Sequence, residues 1–595
     1  MTDEQLEARP DTALRSRSEH RDGMRIDWDV PIPMDDGIVL RADVFRPAGS
    51  GRFPVLLSYG PYGKGLAFQE GYAPQWEKMV SDYPEVRANS SGRYQNWEAV
   101  DPERWVPDGY ACVRVDSRGA GRSPGVIDVW SPRETRDLYD CIEWAAAQPW
   151  SNGKVGLAGI SYYAMNQYQV ATLQPPHLAA ICPWEGASDW YREVYYHGGI
   201  LSEFAGNWFR RQVETVQHGL GEKGPRSALT GELVTGPETL SADELERNRI
   251  ALGPEIKRYP LMGDWYRQRN PDWSRVTTPI LSAANWGGQG LHSRGNFEAF
   301  TEAASPRKWL EVHGGEHWTS FYTDYGVELQ KRFFGHFLKG ESNGWDREPA
   351  VLLQVRHADG SFSPRHEDAW PLQRTSWTSY HLDAGSLGLG TAPVEREARV
   401  DYDASGDGVT FWMPPLEEET EVTGPMAARL HVSSTTPDAD LFLIVRVFDP
   451  GGDEVTFQGA LDPNTPFAQG WLRASHRKLD PERSLPWRPW HTHDDRLPLE
   501  PGEVYQLDVE IWPSCMVIPP GYRVGLTVRG NDYQYEGELS EFARTFHYAG
   551  GGIGPFKHRD PDDRPDELFA GTVTLHTGGA KGSYLLLPVI PRQAV

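Results

Sequence analysis

A strand-like run, Lys154-Val-Gly-Leu-Ala158, passes through Gly159-Ile-Ser161 into a helical stretch from Met165 to Leu173. So sharp a strand-to-helix reversal strains the backbone at its apex and needs a small neighbour there, and Gly159 supplies one. The turn lifts the Ser161 hydroxyl clear of a sheet. It also sets the Tyr162 amide at a helix start, where it can bond a developing oxyanion. The segment falls short of a full G-x-S-x-G, because Tyr163 holds the fifth position and the small residue, Ala164, comes one place later. An ordinary strand–turn–helix connection can carry the same three residues, so the surroundings decide.

Those surroundings alternate. Strand-like runs at Gly37–Phe45, Pro54–Ser58 and Tyr110–Asp116 precede a helix from Glu134 to Gln148, whose Leu138, Ile142 and Ala145 follow a 3.6-residue period. Further strand-like runs come at Pro279–Ala283 and Lys308–Val312, with a closing helix from about Val327 to Leu338. Strands alternating with helices predict a parallel sheet covered on both faces. The stretch from about Trp190 to Trp273 is aromatic and polar with few strand signals, and reads as an inserted helical cap. After Gly340, short apolar runs (Val351–Val355, Leu441–Val447, Val504–Ile511, Arg523–Val528) are separated by Pro, Gly and Asp, the pattern of an antiparallel β sandwich. The expected division is a flexible segment over 1–25, an α/β domain over 26–189 and 276–345, a helical cap over 190–275, and a β-sandwich domain over 346–595.

A formal net charge of -25 excludes a phosphate backbone as a favoured partner. No apolar run approaches the ~20 residues of a membrane span, and Met1–Arg25 lacks the apolar core of a signal peptide, so a cytoplasmic protein is expected. The cysteines Cys112, Cys141, Cys182 and Cys515 form no CxxC pair, and three sit in apolar runs as buried thiols would. No cofactor is implied: Gly119-Ala-Gly121 lacks the spacing of a nucleotide fingerprint and there is no P-loop. His491 and His493, beside Asp494 and Asp495, fall in the β domain and look like metal ligands in isolation.

Several segments together resemble the cocaine-esterase and X-prolyl dipeptidyl-peptidase family of serine hydrolases. They are Gly109–Gly125, Gln148–Gly156, the Gly159–Tyr162 turn, Gly470–Lys478, Leu499–Glu503 and Glu510–Ser514. The resemblance spans nearly everything after about residue 30. It implies an α/β-hydrolase fold with an inserted helical cap and a C-terminal all-β jelly-roll domain, with Ser161 as nucleophile. The turn that holds His491 and His493 resembles one that recurs in the family, and the resemblance implies no metal there.

In this fold the catalytic histidine follows the last strand, which is Lys308–Val312. His317, in His313-Gly-Gly-Glu-His317, stands at the family's position, and His313 at the strand's edge is the competitor. The family's acid is an aspartate after a tryptophan, but Gly288 occupies that place in Ser282–His292. Glu185, in the loop after the strand that follows the turn helix, is the expected replacement. The glycines at 287, 288 and 290 would leave it room, and Asp324 is a further candidate. Glu316 is too close in sequence to His317 to bond its ring, and Asp189 belongs, by the resemblance, to a family motif, Ser188-Asp-Trp-Tyr191, at the cap entrance. One oxyanion donor is expected to be the Tyr162 amide. The resemblance implies the second, the hydroxyl of Tyr62 in the family-like pair Pro61-Tyr62, with Tyr59 as competitor.

The chemistry expected is hydrolysis of a small ester, an amide or a short peptide through an acyl-serine. An X-prolyl peptidase, an acyltransferase and a non-catalytic binding protein on the same scaffold are the alternatives. Large β domains often pair, which makes a homodimer the expected assembly.

Overall fold

The computed structural model describes residues 16–538 and 551–592. One 11-stranded sheet runs in the order Arg17–Arg21, Met24–Pro33, Val39–Pro47, Ala111–Asp116, Phe53–Gly60, Ser151–Ile160, Leu178–Trp184, Ile280–Asn285, Lys308–His313, Val351–Arg356 and Phe362–Glu367. From Ala111–Asp116 through Val351–Arg356 every neighbouring pair is parallel. Parallel neighbours need long crossovers, and the helices Pro132–Ala146, Tyr162–Thr172, Ser293–Glu302 and Asp324–Phe334 provide them. Covered on both faces, the strands Ala111–Asp116 and Ile280–Asn285 are buried at every position. That is why they read as unbroken apolar runs and not as alternating ones.

Local chemistry sets the helix ends. Ser131 Oγ accepts from the Glu134 amide at 3.2 Å, and Pro132 follows it at the first helical position. Helix Tyr162–Thr172 is buried from Tyr162 to Ala171, which fixes the segment that starts at Ser161.

Two boundaries differ from expectation. Residues 1–15 of the expected flexible segment lie outside the described residues, but Arg17–Arg21 is a strand, paired antiparallel with Met24–Trp28. Its polar residues hid it, since an exposed edge strand carries no apolar face. The strand Val351–Arg356, expected in the β sandwich, instead runs parallel to Lys308–His313, with Val351 opposite Leu310. Its alternation announces a strand but not its partner, so the all-β region begins after Glu367 and not at 346.

That region is a second 11-stranded sheet. The long strand Thr420–Ser434 pairs with Tyr505–Ile518 and also with Tyr584–Ile590, which closes nine of the strands into a ring and leaves Ala398–Asp403 and Thr572–Thr577 attached outside it. Within the ring, closure removes free strand edges. Leu430, Val432, Leu441, Leu443, Leu507 and Val509 fill the interior.

The two regions meet at the carboxyl end of the parallel sheet, where sites in such folds lie. The Ala460 amide donates to the Gly287 carbonyl at 3.0 Å, and the Ala460 carbonyl accepts from the His317 amide at 3.0 Å. A Cβ on Gly287 would stand 2.4 Å from the Gly459 Cα. Gly287→Ala is therefore expected to cost about 1–3 kcal/mol of stability, seen as a lower denaturation midpoint. An unchanged midpoint would show that this contact yields freely.

Candidate active site

The strand Ser151–Ile160 ends at Ser161, whose φ of 56° and ψ of -113° lie outside the ordinary regions for an L residue. Such a conformation costs on the order of 1–3 kcal/mol and persists only where neighbours hold it. Here the Ser161 amide donates to the Trp184 carbonyl at 3.1 Å, and the Ile160 amide to the Glu98 carbonyl at 3.0 Å. The Ser161 carbonyl accepts from Ala164 and Met165 at 2.9 and 2.8 Å. At Gly159, φ is 155°, and a Cβ would sit 2.4 Å from the Tyr163 Cβ, so the turn requires glycine there. The Tyr162 amide opens the helix, where the first N–H groups have no intrahelical acceptor. The Tyr162 ring points elsewhere, with its hydroxyl donating to Glu134.

Beside the turn, carboxylates and imidazoles alternate in a buried chain. Glu311 Oε2 lies 2.7 Å from His313 Nδ1, and His313 Nε2 lies 2.9 Å from Glu185 Oε1. Glu185 Oε2 lies 2.8 Å from His317 Nδ1, and His317 Nε2 lies 2.9 Å from Glu98 Oε1. Glu185 is 0% exposed and also accepts from Asn285 Nδ2 at 3.2 Å. Glu185 and Glu98 both have positive φ, 50° and 61°, so two strained non-glycine residues converge with Ser161 on one site.

An ionised carboxylate only accepts hydrogen bonds. A neutral imidazole has one N–H, so His317, with a carboxylate at each ring nitrogen, needs an extra proton on the ring or on a partner. Burial would raise the Glu185 pKa, but His317 and His313 hold it down at about 2. Burial would lower the pKa of His317, yet Glu185 and then Glu98 lift it to about 10. His313 is lifted against its burial to about 9, by Glu311 first and Glu185 next. Glu98 is itself raised, because burial outweighs its bond to His317. With both partners shifted upward, the Nε2–Oε1 pair retains a proton near neutral pH.

Ser161, His317, Glu98 and Tyr62 line one cavity of about 250 Å³, walled by Tyr72, Trp97, Phe204, Trp208, Leu291 and Leu461. The Tyr62 hydroxyl accepts from Trp208 Nε1 at 3.2 Å, which leaves its own proton to donate. Tyr59 is buried in the core on the other side and does not line this cavity. The remaining acids are committed elsewhere. Asp189 caps Tyr191 and Arg192 and pairs with Arg192 at 2.6 Å. Glu316 pairs with Lys78 at 2.8 Å, and Asp324 with Arg104 at 2.8 Å.

The glycines after Trp286 do not make room for Glu185. Gly287 admits Gly459 and Ala460, and a Cβ on Gly290 would meet the Phe556 ring at 2.9 Å, so both serve the docking of the β region. Gly288 sits inside a turn, where its carbonyl accepts from Leu291, His292 and Ser293. Sequence reasoning missed Glu98 and the His313–Glu311 pair. Glu98 lies in Asn96-Trp-Glu-Ala-Val100, where an acid among apolar residues is the only signal, and the chain separation of 219 residues from His317 hides the contact.

Residues 36–319 match the family model of the X-Pro dipeptidyl-peptidase (S15 family), and residues 343–545 that of the X-Pro dipeptidyl-peptidase C-terminal non-catalytic domain. A crystal structure of a CocE/NonD family hydrolase from Staphylococcus aureus is 33% identical, covers 95% of this chain and 94% of its own, and superposes with a TM-score of 0.80. The cocaine esterase of a Rhodococcus species is 25% identical, over 95% of this chain and 98% of its own length.

Proposed function

The chain belongs to the X-Pro dipeptidyl-peptidase and CocE/NonD family of serine hydrolases, and from that premise we propose that Ser161, His317 and Glu185 form its catalytic triad. The carrying observation is that Ser161, at a strained strand end, opens into the same cavity as His317, whose Nδ1 is held by the buried carboxylate of Glu185. His317 takes the Ser161 proton as Oγ attacks the acyl carbon, then passes it to the leaving group. Water reverses the sequence, with His317 as base. Glu185 fixes the ring's tautomer and stabilises the imidazolium. The Tyr162 amide and the Tyr62 hydroxyl bond the oxyanion. Exposure to a fluorophosphonate probe tests the reading: covalent capture at Ser161 is expected, and a folded protein that stays unlabelled would overturn it.

A cavity of about 250 Å³ favours a small ester or amide over a long peptide. An X-prolyl peptidase needs a carboxylate for the substrate amine. Of the acids Glu193, Glu203 and Glu214 in residues 190–275, Glu193 is fully buried against Arg294 and Glu214 lies 3.5 Å from Arg249, whereas Glu203 lines the cavity. A panel of p-nitrophenyl esters beside X-Pro amides separates the two classes.

Tyr62→Phe is expected to lower kcat by about 10²-fold with little change in KM, the cost of one lost oxyanion donor. Equal kcat values would exclude the hydroxyl. In the same reading, residues 190–275, with their short helices and one small ribbon, serve as a helical cap over an α/β region whose sheet runs from Arg17 to Glu367 on either side of them. The β region acts as a jelly-roll-type support. No described helix is long and apolar enough to cross a membrane. Four buried, unbridged cysteines suit a reducing cytoplasm. The expected homodimer is a question for sedimentation.

A further inference from the structure

Glu98 faces the ring nitrogen that a serine nucleophile needs. His317 Nδ1 is taken by Glu185, so Nε2 must receive the Ser161 proton, yet Nε2 lies 2.9 Å from Glu98 Oε1. Neither partner is a mobile surface group: both side chains are 3% exposed. Glu98 is anchored through its backbone as well, at φ 61°, with its carbonyl accepting the Ile160 amide one residue before Ser161. The nucleophile's strand and the carboxylate are therefore coupled, and Glu98, His317 and Ser161 share a cavity.

We propose that Glu98 is a positioning residue that holds His317 by Nε2 in the substrate-free enzyme, so that the base serves Ser161 only once Glu98 releases it. The inference rests on the assignment of Ser161 and His317 given above. In the held state, His317 is an imidazolium between two carboxylates, aligned beside the nucleophile but unable to accept a proton. Activation breaks the Nε2–H bond, the proton leaves to water or hydroxide, and Glu98 stays ionised. The neutral ring then takes the proton from Ser161 Oγ as Oγ bonds the acyl carbon. Charge and protons balance with water or hydroxide as the acceptor of the Nε2 proton.

The neighbours define what else acts on the pair. His317 is faced by Glu185, with His313 behind it, and by His292 stacked at 4.8 Å with a 5° interplanar angle. Burial and the His317 charge push His292 far below the usual histidine range, so it adds no positive charge. Trp97 lies 6.2 Å from the His317 ring. Tyr62, Tyr163 and Tyr322 are close enough to feel the Glu98 charge, which with burial raises all three. Glu203, Arg211 and Lys557 line the same cavity. Of these groups, Glu98 is the one in contact with Nε2.

The experiment follows the rate of Ser161 capture by a fluorophosphonate across pH, read by intact mass, in full-length wild type, Glu98→Gln and Glu98→Ala. The base works only when unprotonated, so capture rises with pH through the pKa of His317. Removing a carboxylate from an imidazolium lowers that pKa. The rising limb is expected to move to lower pH by about one unit or more in both variants, a tenfold change in proton affinity. A limb that stays in place or moves to higher pH in folded variants overturns the role of Glu98. If a variant is not captured at all, titration of His317 in histidine-labelled protein by nitrogen-15 NMR gives the same answer. A midpoint lowered by a unit supports the hold, and an unmoved midpoint refutes it. Failure of wild type to be captured at any pH would instead refute the Ser161 assignment itself.

Discussion

Ser161→Ala is expected to lower kcat by about 10⁴- to 10⁶-fold and to abolish capture by a fluorophosphonate, while the protein melts as wild type does. The size follows from the chemistry: without Oγ there is no acyl-enzyme, and water must attack directly. What survives is the binding cavity and the oxyanion donors, which by themselves give residual catalysis. The fold should tolerate the change. The strain at φ 56° belongs to the backbone, and alanine bears it as serine does, with the same amide bonds to Trp184, Ala164 and Met165. A loss of stability would mean that the hydroxyl helps hold the turn. Undiminished turnover in Ser161→Ala would remove Ser161 from the reaction.

How much of this could be read from sequence depended on how local each signal was. The turn at Gly159-Ile-Ser161 was legible because its requirement is local: a glycine where a side chain would strike Tyr163, then a buried helix. The parallel strands were legible because burial on both faces makes unbroken apolar runs. Strand partners were not. Val351–Arg356 has the alternation of a half-buried strand, and nothing local says that it will pair with Lys308–His313 and not with the β region. Glu185 was reachable by a rule about loops, since the strand Leu178–Trp184 adjoins the strand that carries Ser161. Glu98 follows no such rule. Its loop precedes the strand Ala111–Asp116 and meets His317 only when the sheet brings distant strand ends together. The glycines after Trp286 show the opposite error, because a small residue marks a close approach without saying what approaches. In this protein Gly459 and Phe556 do.

The isosteric change Glu185→Gln should lower kcat by about 10²- to 10⁴-fold, with KM for a small activated ester little altered. Glu185 presents one oxygen to His317 Nδ1 and the other to His313 Nε2, both as acceptor. A glutamine of the same shape offers one oxygen and one NH₂ group, so one of the two imidazoles must face a donor. If that ring is His317, its proton moves to Nε2, the tautomer that cannot take the Ser161 proton. If it is His313, His317 keeps its orientation but loses the negative charge that stabilises its imidazolium in the transition state. Either arrangement should slow acylation and deacylation together, since the proposed triad uses His317 as the base in both. Glu185→Asp, one methylene shorter, cannot span both rings from the same backbone and should fall between wild type and glutamine. Wild-type turnover in Glu185→Gln would exclude this carboxylate. The contrast with Glu98 is then informative. Both carboxylates touch His317, and both substitutions lower its proton affinity. Only the one on Nδ1 sets which nitrogen carries the proton during the reaction. Loss of Glu185 should therefore reduce the maximal rate at every pH, whereas loss of Glu98 should shift the pH at which that rate is reached.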